Sequence, residues 1–264
     1  MSLLRSMALG SLVLFAAGQD PVKERLDKSP RHHEWIEVKR GEHAVHCFVT
    51  YPEVKDKATA VLVIHENKGL TDWVRAVADQ LAEAGYIAIA PDLLSGLGAG
   101  GGKTDSFAST DAATQALYKL EATQVTADLN AVADHALKLS ACNGKLAVAG
   151  FCWGGSQSFA FASERKDLKA AFVFYGGAPK EDATLAKIAC PVYGFYGESD
   201  SRIGATLPAT SEAMTKHTKT FEPVTYAGAG HGFMRAGEAL DASESNKKAR
   251  DEAWTRWKKL LGAL

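Results

Sequence analysis

The sequence predicts an α/β fold, with a mostly parallel central sheet covered by helices on both faces. Short apolar runs, which are typical of buried strands, alternate with longer segments whose apolar residues recur at helical spacing. Strands that are joined by helices of this length pair in parallel. The 264 residues suffice for one sizeable core, and 46% hydrophobic with 23% charged residues is the composition of an ordinary globular protein.

Residues 1–18 have the pattern of a secretory signal peptide. Arg5 precedes an apolar run from Met7 to Phe15, and small residues stand before a predicted cleavage after Gly18. The run is too short to span a bilayer, although an uncleaved anchor or an ordinary N-terminal helix is an alternative. We therefore expect export to a periplasm or to the exterior, with no stable membrane insertion after cleavage.

The next residues, 19–33, are polar and include two prolines, which predicts an exposed lead-in to a single domain over residues 34–264. Two short strands around Gly41 predict a hairpin at the edge of the sheet. The strands predicted in chain order are Glu34–Lys39, His43–Tyr51, Ala60–Ile64, Ile87–Ala90, Leu146–Ala149, Ala170–Tyr175, Val192–Tyr196 and Phe221–Tyr226.

The helices are predicted from apolar residues on one face and from residues that begin or end a helix. Thr71 is expected to cap the first helix and Gly85 to end it. Five of the seven residues from Gly96 to Gly102 are glycine, which predicts a flexible loop. Further helices are predicted over about Asp111–Leu139, from the turn after Ala149 to about Ala162, and over about Leu207–His217 and Ser243–Leu261.

The charge balance argues against nucleic acid as a partner. The formal net charge is −1 and the isoelectric point is about 6.7, so no basic surface for a phosphate polymer or an anionic membrane is indicated. A small neutral or modestly charged substrate is expected instead. Four cysteines do not make a disulfide scaffold in a chain of this length, although export would permit one bridge, such as Cys142 to Cys190.

Cys152 lies in a glycine-flanked turn between a predicted strand and a predicted helix. The sequence Gly150-Phe-Cys152-Trp-Gly154 predicts a tight elbow, because glycines two residues before and after the cysteine remove Cβ atoms that would collide. Such a turn exposes its central side chain above the sheet, and the N–H of Trp153 would face a developing oxyanion. The alternative is that Cys152 is an ordinary buried thiol.

A nucleophilic cysteine needs a base, and the base needs an orienting carboxylate. Asp200 follows one predicted strand and His231 follows the last, so both are expected at the same edge of the sheet as Cys152. The order nucleophile, acid, histidine is that of an α/β-hydrolase fold. Taken singly, Asp200 could cap a turn and His231 could be a surface histidine, but together they predict a catalytic triad.

Five stretches of the sequence together resemble one known family. They are Gly150-Phe-Cys-Trp-Gly-Gly155, Gly197-Glu-Ser-Asp200, Gly230-His-Gly-Phe-Met-Arg235, Ile64-His-Glu-Asn-Lys-Gly69 and Gly85-Tyr-Ile-Ala-Ile-Ala-Pro-Asp-Leu93. Over residues 34–264 the chain resembles the dienelactone hydrolase (carboxymethylenebutenolidase) family, which implies an ester or lactone hydrolase. By this resemblance Cys152 attacks the carbonyl, His231 supports the thiolate and acts on the leaving group, and Asp200 orients His231.

The resemblance also assigns a role to Glu66. In that family a glutamate is hydrogen-bonded to a thiol that is largely protonated at rest, and substrate binding moves the glutamate so that it takes the proton. The reactive thiolate would then be protected from oxidation until substrate arrives. The N–H of Asn67 is placed like a second oxyanion donor. From the residues alone, Glu66 could also be a carboxylate in a solvated loop.

The residues expected to bind substrate match the family only in part. The best-known members hold a substrate carboxylate with two arginines, and Arg235 matches one of them. The other would lie at Thr114, four residues before Tyr118, which we take as a further substrate-binding residue. Losing one arginine would weaken carboxylate binding by about 1.5–3 kcal/mol. Either Arg202, two residues after Asp200, replaces it, or the substrate lacks that carboxylate.

No cofactor or metal site is predicted. His65-Glu66 lacks the second histidine of a zinc helix, because position 69 is glycine. The leading hypothesis is an exported, cysteine-dependent hydrolase of a small ester or lactone. The alternatives are a broad carboxylesterase or thioesterase for another acyl substrate, and a non-enzymatic binding or redox-sensing protein in which Cys152 is an oxidisable thiol.

Overall fold

The computed structural model describes residues 21–264, in which eight strands form one sheet. Most of the strands are apolar runs rich in β-branched, aromatic or small residues, which pack well on a pleated surface, whereas the first and the last carry polar residues between apolar ones. The strands are β1 (His33–Arg40), β2 (His43–Thr50), β3 (Ala58–Ile64), β4 (Ile87–Pro91), β5 (Cys142–Phe151), β6 (Ala171–Phe174), β7 (Val192–Gly197) and β8 (Phe221–Tyr226).

Ten α-helices lie between or beside these strands in the described part of the chain. They are α1 (Pro21–Asp27), α2 (Asp72–Glu83), α3 (Thr110–Leu117), α4 (Ala122–Lys138), α5 (Trp153–Glu164), α6 (Asp182–Leu185), α7 (Ser201–Gly204), α8 (Leu207–Lys216), α9 (Phe233–Ala236) and α10 (Glu244–Leu261). The four-residue helices α6, α7 and α9 were not expected from the sequence, because one turn is too short to show an apolar period.

The strand order is β1-β2-β4-β3-β5-β6-β7-β8. β1 and β2 form an antiparallel hairpin, and β2 also runs antiparallel to β4. All later neighbours are parallel, which confirms the predicted sheet. The carboxyl ends of β3, β5, β6, β7 and β8 therefore meet at one edge, where the residues that follow these strands come together.

Two apolar clusters cover the two faces of the sheet. Side chains alternate along β3, so that Leu62 enters one cluster with α4 and α5, while Val63 enters the other with α2 and α10. The second cluster is rich in stacked aromatic rings, among them Phe174 and Phe195, whose centroids are 4.2 Å apart. Helices on both faces of a mostly parallel sheet confirm the α/β fold class.

The prediction of one long helix over about Asp111–Leu139 is wrong, because α3 and α4 are separate helices. The backbone leaves helical geometry at Glu121, where ψ is 135°. The break lets α3 pack Ala113 and Leu117 against Leu94 in a small cluster of its own, while α4 packs on the main core.

The predicted exposed lead-in needs correction over its described part. It contains α1, whose Leu26 is buried. After α1, the hydroxyl of Ser29 and the guanidinium of Arg31 donate hydrogen bonds to the buried Asp79 of α2. Some of the polar side chains from which exposure was predicted are instead paired with a buried carboxylate.

Three further expectations concern covalent and membrane features. The predicted signal peptide, residues 1–18, lies outside the described residues and stays a prediction. Within residues 21–264 no helix has both the length and the apolar character needed to cross a membrane. Cys142 and Cys190, like the two other cysteines, are free thiols.

The glycine-rich stretch is held as a tight turn by a hydrogen bond from Gly98 N–H to the Gly102 carbonyl.

Candidate active site

Cys152 occupies a strained elbow between β5 and α5. Its φ is +56° and its ψ is −114°, a conformation that an L-residue adopts at a cost. The flanking glycines make the turn possible, since a Cβ on Gly150 would collide with the Gly154 carbonyl. A Cβ on Gly154 would collide with the carbonyls of Ile64 and His65 at the end of β3. The predicted elbow is therefore formed, and it packs directly against the segment that follows β3.

Asp200 and His231 lie together beside this elbow. Asp200 follows β7 and is buried, and its Oδ1 accepts a bond from the N–H of Ile203 at the start of α7. Its other oxygen, Oδ2, is 2.5 Å from Nδ1 of His231, which follows β8. One carboxylate thus caps a helix and holds the imidazole. Because Nδ1 is engaged by Asp200, Nε2 is the ring nitrogen left for Cys152.

The electrostatics of His231 reflect both neighbours. The hydrogen bond with Cys152 contributes most to raising the pKa of His231, partial burial opposes it, and Asp200 adds to the rise, which brings the value to about 8. The side chain is 33% exposed, so a substrate can reach it. The arrangement favours a proton on the imidazole, as is needed to stabilise a thiolate at Cys152.

Glu66 is buried next to the elbow and is held by two donors. Nε of Arg235 donates to Oε2 at 2.8 Å, and the Tyr175 hydroxyl approaches Oε1 at 3.4 Å. The resemblance implies a resting bond between Glu66 and the Cys152 thiol. In the described residues the hydrogen-bond partners of the carboxylate are Arg235 and Tyr175, and Cys152 lies beside His231, where it raises the pKa of the imidazole.

Tyr175 is a site residue that the sequence did not indicate. It follows β6 with φ of +42°, and its ring lies 5.1 Å from that of His231 in an edge-to-face contact. Burial raises the pKa of Tyr175 well above its ordinary value, so its hydroxyl stays protonated and donates to Glu66. Its placement between a buried strand and Gly176-Gly177 was the available signal, since a residue at such a strand end lies at the catalytic edge.

Trp153 and Asn67, the residues whose N–H groups were predicted to receive an oxyanion, lie in neighbouring segments at the carboxyl edge of the sheet. Trp153 opens α5, so its N–H belongs to the first turn and has no acceptor within the helix. Asn67 follows Glu66 in the segment that contacts Gly154. These are the two N–H groups predicted to receive an oxyanion, and the close approach of the elbow to the end of β3 places their segments side by side.

The predicted substrate-binding residues are dispersed. Arg235 lies in the site through its bond to Glu66, and its side chain is 49% exposed. Arg202 lies on α7, at the rim of a separate cavity of about 630 Å³ between α7, α8 and the loop that follows β6. Tyr118 ends α3 and is 62% exposed. The site therefore gathers Cys152, Asp200, His231, Glu66 and Arg235, whereas in the described residues neither Arg202 nor Tyr118 has a hydrogen bond or ion pair with them.

The arrangement suits acyl transfer. It combines a thiol on a strained turn, an imidazole with an orienting carboxylate, and backbone N–H groups beside the thiol. Within residues 21–264 no group of three or more His, Cys, Asp or Glu side chains is arranged to hold a metal ion.

Comparison with known proteins shows the family to which the chain belongs. The model of the dienelactone hydrolase family matches residues 45–264. A candidate carboxymethylenebutenolidase from Salmonella typhimurium is 32% identical over 199 residues, which make up 71% of this chain and 72% of the relative. Another from Saccharolobus solfataricus is 29% identical and covers 82% of this chain and 93% of the relative. A solved candidate dienelactone hydrolase from Klebsiella pneumoniae has a TM-score of 0.77 at 24% identity, covering 89% of this chain and 99% of the other. The chain is therefore a hydrolase that belongs to the dienelactone hydrolase family.

Proposed function

We propose that the protein hydrolyses a small ester or lactone with Cys152 as the nucleophile. The observation that carries the proposal is the position of the thiol: it sits on a strained elbow beside a histidine that Asp200 holds by Nδ1. The membership in the dienelactone hydrolase family supports the same reaction class.

The proposed reaction proceeds through a thioester. The Cys152 sulfur attacks the carbonyl carbon, and the N–H groups of Trp153 and Asn67 stabilise the oxygen that becomes negative. Collapse of this intermediate breaks the bond to the leaving oxygen, which takes a proton from His231. The neutral imidazole then accepts a proton from water, whose oxygen attacks the thioester carbonyl. Collapse of this second intermediate breaks the carbon–sulfur bond and releases the acid, and the Cys152 thiolate takes back the proton that the thiol gave up before its attack.

We further propose that Glu66 activates the thiol when substrate binds. At rest its carboxylate is held by Arg235. A carboxylate on the substrate would compete for the same guanidinium, and Glu66 released in this way would be free to accept the thiol proton. The carboxylate on the substrate is thus the proposed signal for activation.

Ester hydrolysis by variants tests the nucleophile. Wild type should hydrolyse p-nitrophenyl acetate steadily, and Cys152→Ala and His231→Ala should each lose activity by about 10³-fold or more. Cys190→Ala is the matched control, because it removes a buried thiol outside the site and should keep wild-type activity. Equal rates for Cys152→Ala and wild type would refute the assignment. A wild type without activity on any ester or lactone would favour the binding or redox-sensing alternative.

Alkylation tests the resting state of the thiol. With Glu66 held by Arg235, iodoacetamide should modify Cys152 slowly at neutral pH in the absence of substrate. Peptide mass mapping separates Cys152 from the buried thiols. Rapid alkylation of the resting enzyme would contradict activation by substrate.

A further inference from the structure

The segment from His65 to Leu70 carries two of the proposed catalytic groups but has no regular secondary structure. It follows β3 and contains the Glu66 carboxylate and the Asn67 N–H. A segment of this kind would let both groups drift, yet catalysis requires them to be held within about 0.5 Å. Hydrogen bonds hold the segment at both of its ends. At each end they connect it to residues that follow β4.

His65 fixes the first end of the segment. Its ring is fully buried, and Nε2 accepts a hydrogen bond from the Leu93 N–H at 3.2 Å. Nδ1 lies 2.8 Å from the carbonyl oxygen of Glu66. Because Nε2 faces a donor and Nδ1 faces an acceptor, the proton resides on Nδ1 and the ring is neutral. Burial lowers the pKa of His65, which keeps it so.

The same ring reaches the elbow. It stacks on the indole of Trp153, with centroids 5.7 Å apart and planes inclined by 15°. Trp153 provides the proposed oxyanion donor of α5, and Glu66 is followed by the donor of Asn67. His65 therefore touches the residues on both sides of the proposed oxyanion site while lying outside it.

Thr104 fixes the second end. Its hydroxyl accepts a hydrogen bond from the Leu70 N–H at 3.0 Å and donates to Oδ1 of the buried Asp92 at 2.7 Å. The Thr104 N–H donates to Oδ2 of the same carboxylate at 2.9 Å. Gly69, with φ of +80°, lies so close to Thr104 that a Cβ there would collide with its side chain. Thr104 follows the glycine-rich stretch, so that loop is joined to the segment beside the catalytic site.

We propose that His65 and Thr104 are positioning residues, which hold the segment from His65 to Leu70 against the end of β4 and thereby orient Glu66 and the Asn67 N–H. The proposal rests on the proposed function, since it concerns groups of that reaction. Neither residue is expected to contact substrate.

Variants of His65 test the first constraint. His65→Gln keeps one donor and one acceptor, so kcat should stay within about threefold of wild type, whereas His65→Leu keeps the volume without the bonds. His65→Leu should lower kcat on p-nitrophenyl acetate by about 10- to 100-fold, with KM changed less than about threefold, because misplaced oxyanion donors act on the transition state.

A matched control separates positioning from stability. Thr50→Val removes a buried hydroxyl that donates to the Ala78 carbonyl between β2 and α2, so it should lower the melting temperature but leave kcat unchanged. If His65 had only a structural role, His65→Leu would likewise lower the melting temperature and leave kcat unchanged. A wild-type kcat in folded His65→Leu would therefore overturn the proposal. Equal losses of kcat in His65→Gln and His65→Leu would also overturn it.

The isosteric change Thr104→Val tests the second constraint even if His65→Leu does not fold. It should lower kcat by about 10-fold with little effect on KM, since only the hydroxyl is lost. Activity that is lost in Cys152→Ala but fully kept in Thr104→Val would remove the positioning proposal and leave the proposed reaction standing. Activity that persists in Cys152→Ala would remove the proposed reaction itself.

Discussion

Arg235 donates a hydrogen bond from its Nε to the buried carboxylate of Glu66 at 2.8 Å. The sequence assigned these residues to separate tasks, one to the substrate and the other to the thiol. The structure joins them in one ion pair, with the guanidinium half exposed and the carboxylate buried. Within residues 21–264 Glu66 is bonded to Nε of Arg235, and an incoming carboxylate that bound the Nη groups would compete with Glu66 for the same positive charge.

The first prediction concerns this ion pair. Arg235→Met should lower kcat/KM for a lactone with a carboxylate by about 10- to 100-fold relative to wild type, as expected for the loss of a charge-assisted bond of about 1.5–3 kcal/mol. An uncharged lactone of the same ring size should lose less. Arg235→Lys should recover only part of the preference, since an ammonium cannot bind two carboxylates as a planar fork does. Equal losses on both lactones would contradict a role in substrate recognition.

The second prediction concerns the pH dependence of hydrolysis. The pKa of His231 is raised to about 8, chiefly by its bond with Cys152, so the neutral imidazole becomes the main form only above that pH. In the proposed reaction the imidazolium supports the thiolate and protonates the leaving oxygen, so kcat/KM for a neutral ester should fall as the pH rises above about 8. The measurement is a kcat/KM profile from pH 5 to pH 10 with a neutral p-nitrophenyl ester. A flat profile between pH 6 and pH 9 would contradict it.

The raised pKa of His231 also predicts how the stability of the fold depends on pH. A histidine whose folded pKa exceeds its unfolded value near 6.5 stabilises the fold below that value, and this contribution disappears as the pH rises through about 8. Asp200→Asn removes the negative charge that favours the imidazolium, so the pKa of His231 should fall and the stability should vary less between pH 6.5 and pH 8. Urea unfolding at the two pH values measures the difference. Activity should fall by about 10²- to 10⁴-fold, because the amide does not fix the imidazole tautomer as the carboxylate does.

The last prediction concerns the elbow. Gly150→Ala should abolish activity and destabilise the protein by at least about 2 kcal/mol, since the added Cβ meets the backbone carbonyl of Gly154, which cannot move without breaking the turn. Gly204→Ala in α7 is the control, because its Cβ would meet no atom within 4 Å and its φ is not positive. Urea unfolding and ester hydrolysis of both variants are compared. Wild-type stability in Gly150→Ala would show that the turn tolerates a side chain there.

The sequence predicts most of the sheet because its strands are local apolar runs with clear ends. β7, for instance, was expected over Val192–Tyr196 and extends by one residue to Gly197. The break between α3 and α4 was missed, because it depends on which apolar side chains find room beside Leu94, and no local pattern records that. Long-range packing decides such boundaries.

The candidate site was predictable where a motif surrounds the residue and not elsewhere. Cys152, Asp200 and His231 each follow a strand in a glycine-containing turn, and the structure places them together. Tyr175 was missed because its role arises from contacts with Glu66 and His231, which are distant in sequence. Arg202 was expected near the substrate from its spacing to Asp200 alone; it lines the cavity between α7, α8 and the loop that follows β6, and its role stays a prediction.

The positive φ of Cys152 restricts which nucleophilic residues can occupy position 152. Serine has the same unbranched shape and fits the same backbone, so an exchange between sulfur and oxygen chemistry requires one codon change and no rebuilding of the turn. Threonine adds a second substituent on Cβ, which makes a positive φ far more costly. The backbone at position 152 therefore accepts cysteine or serine as the nucleophile and excludes threonine.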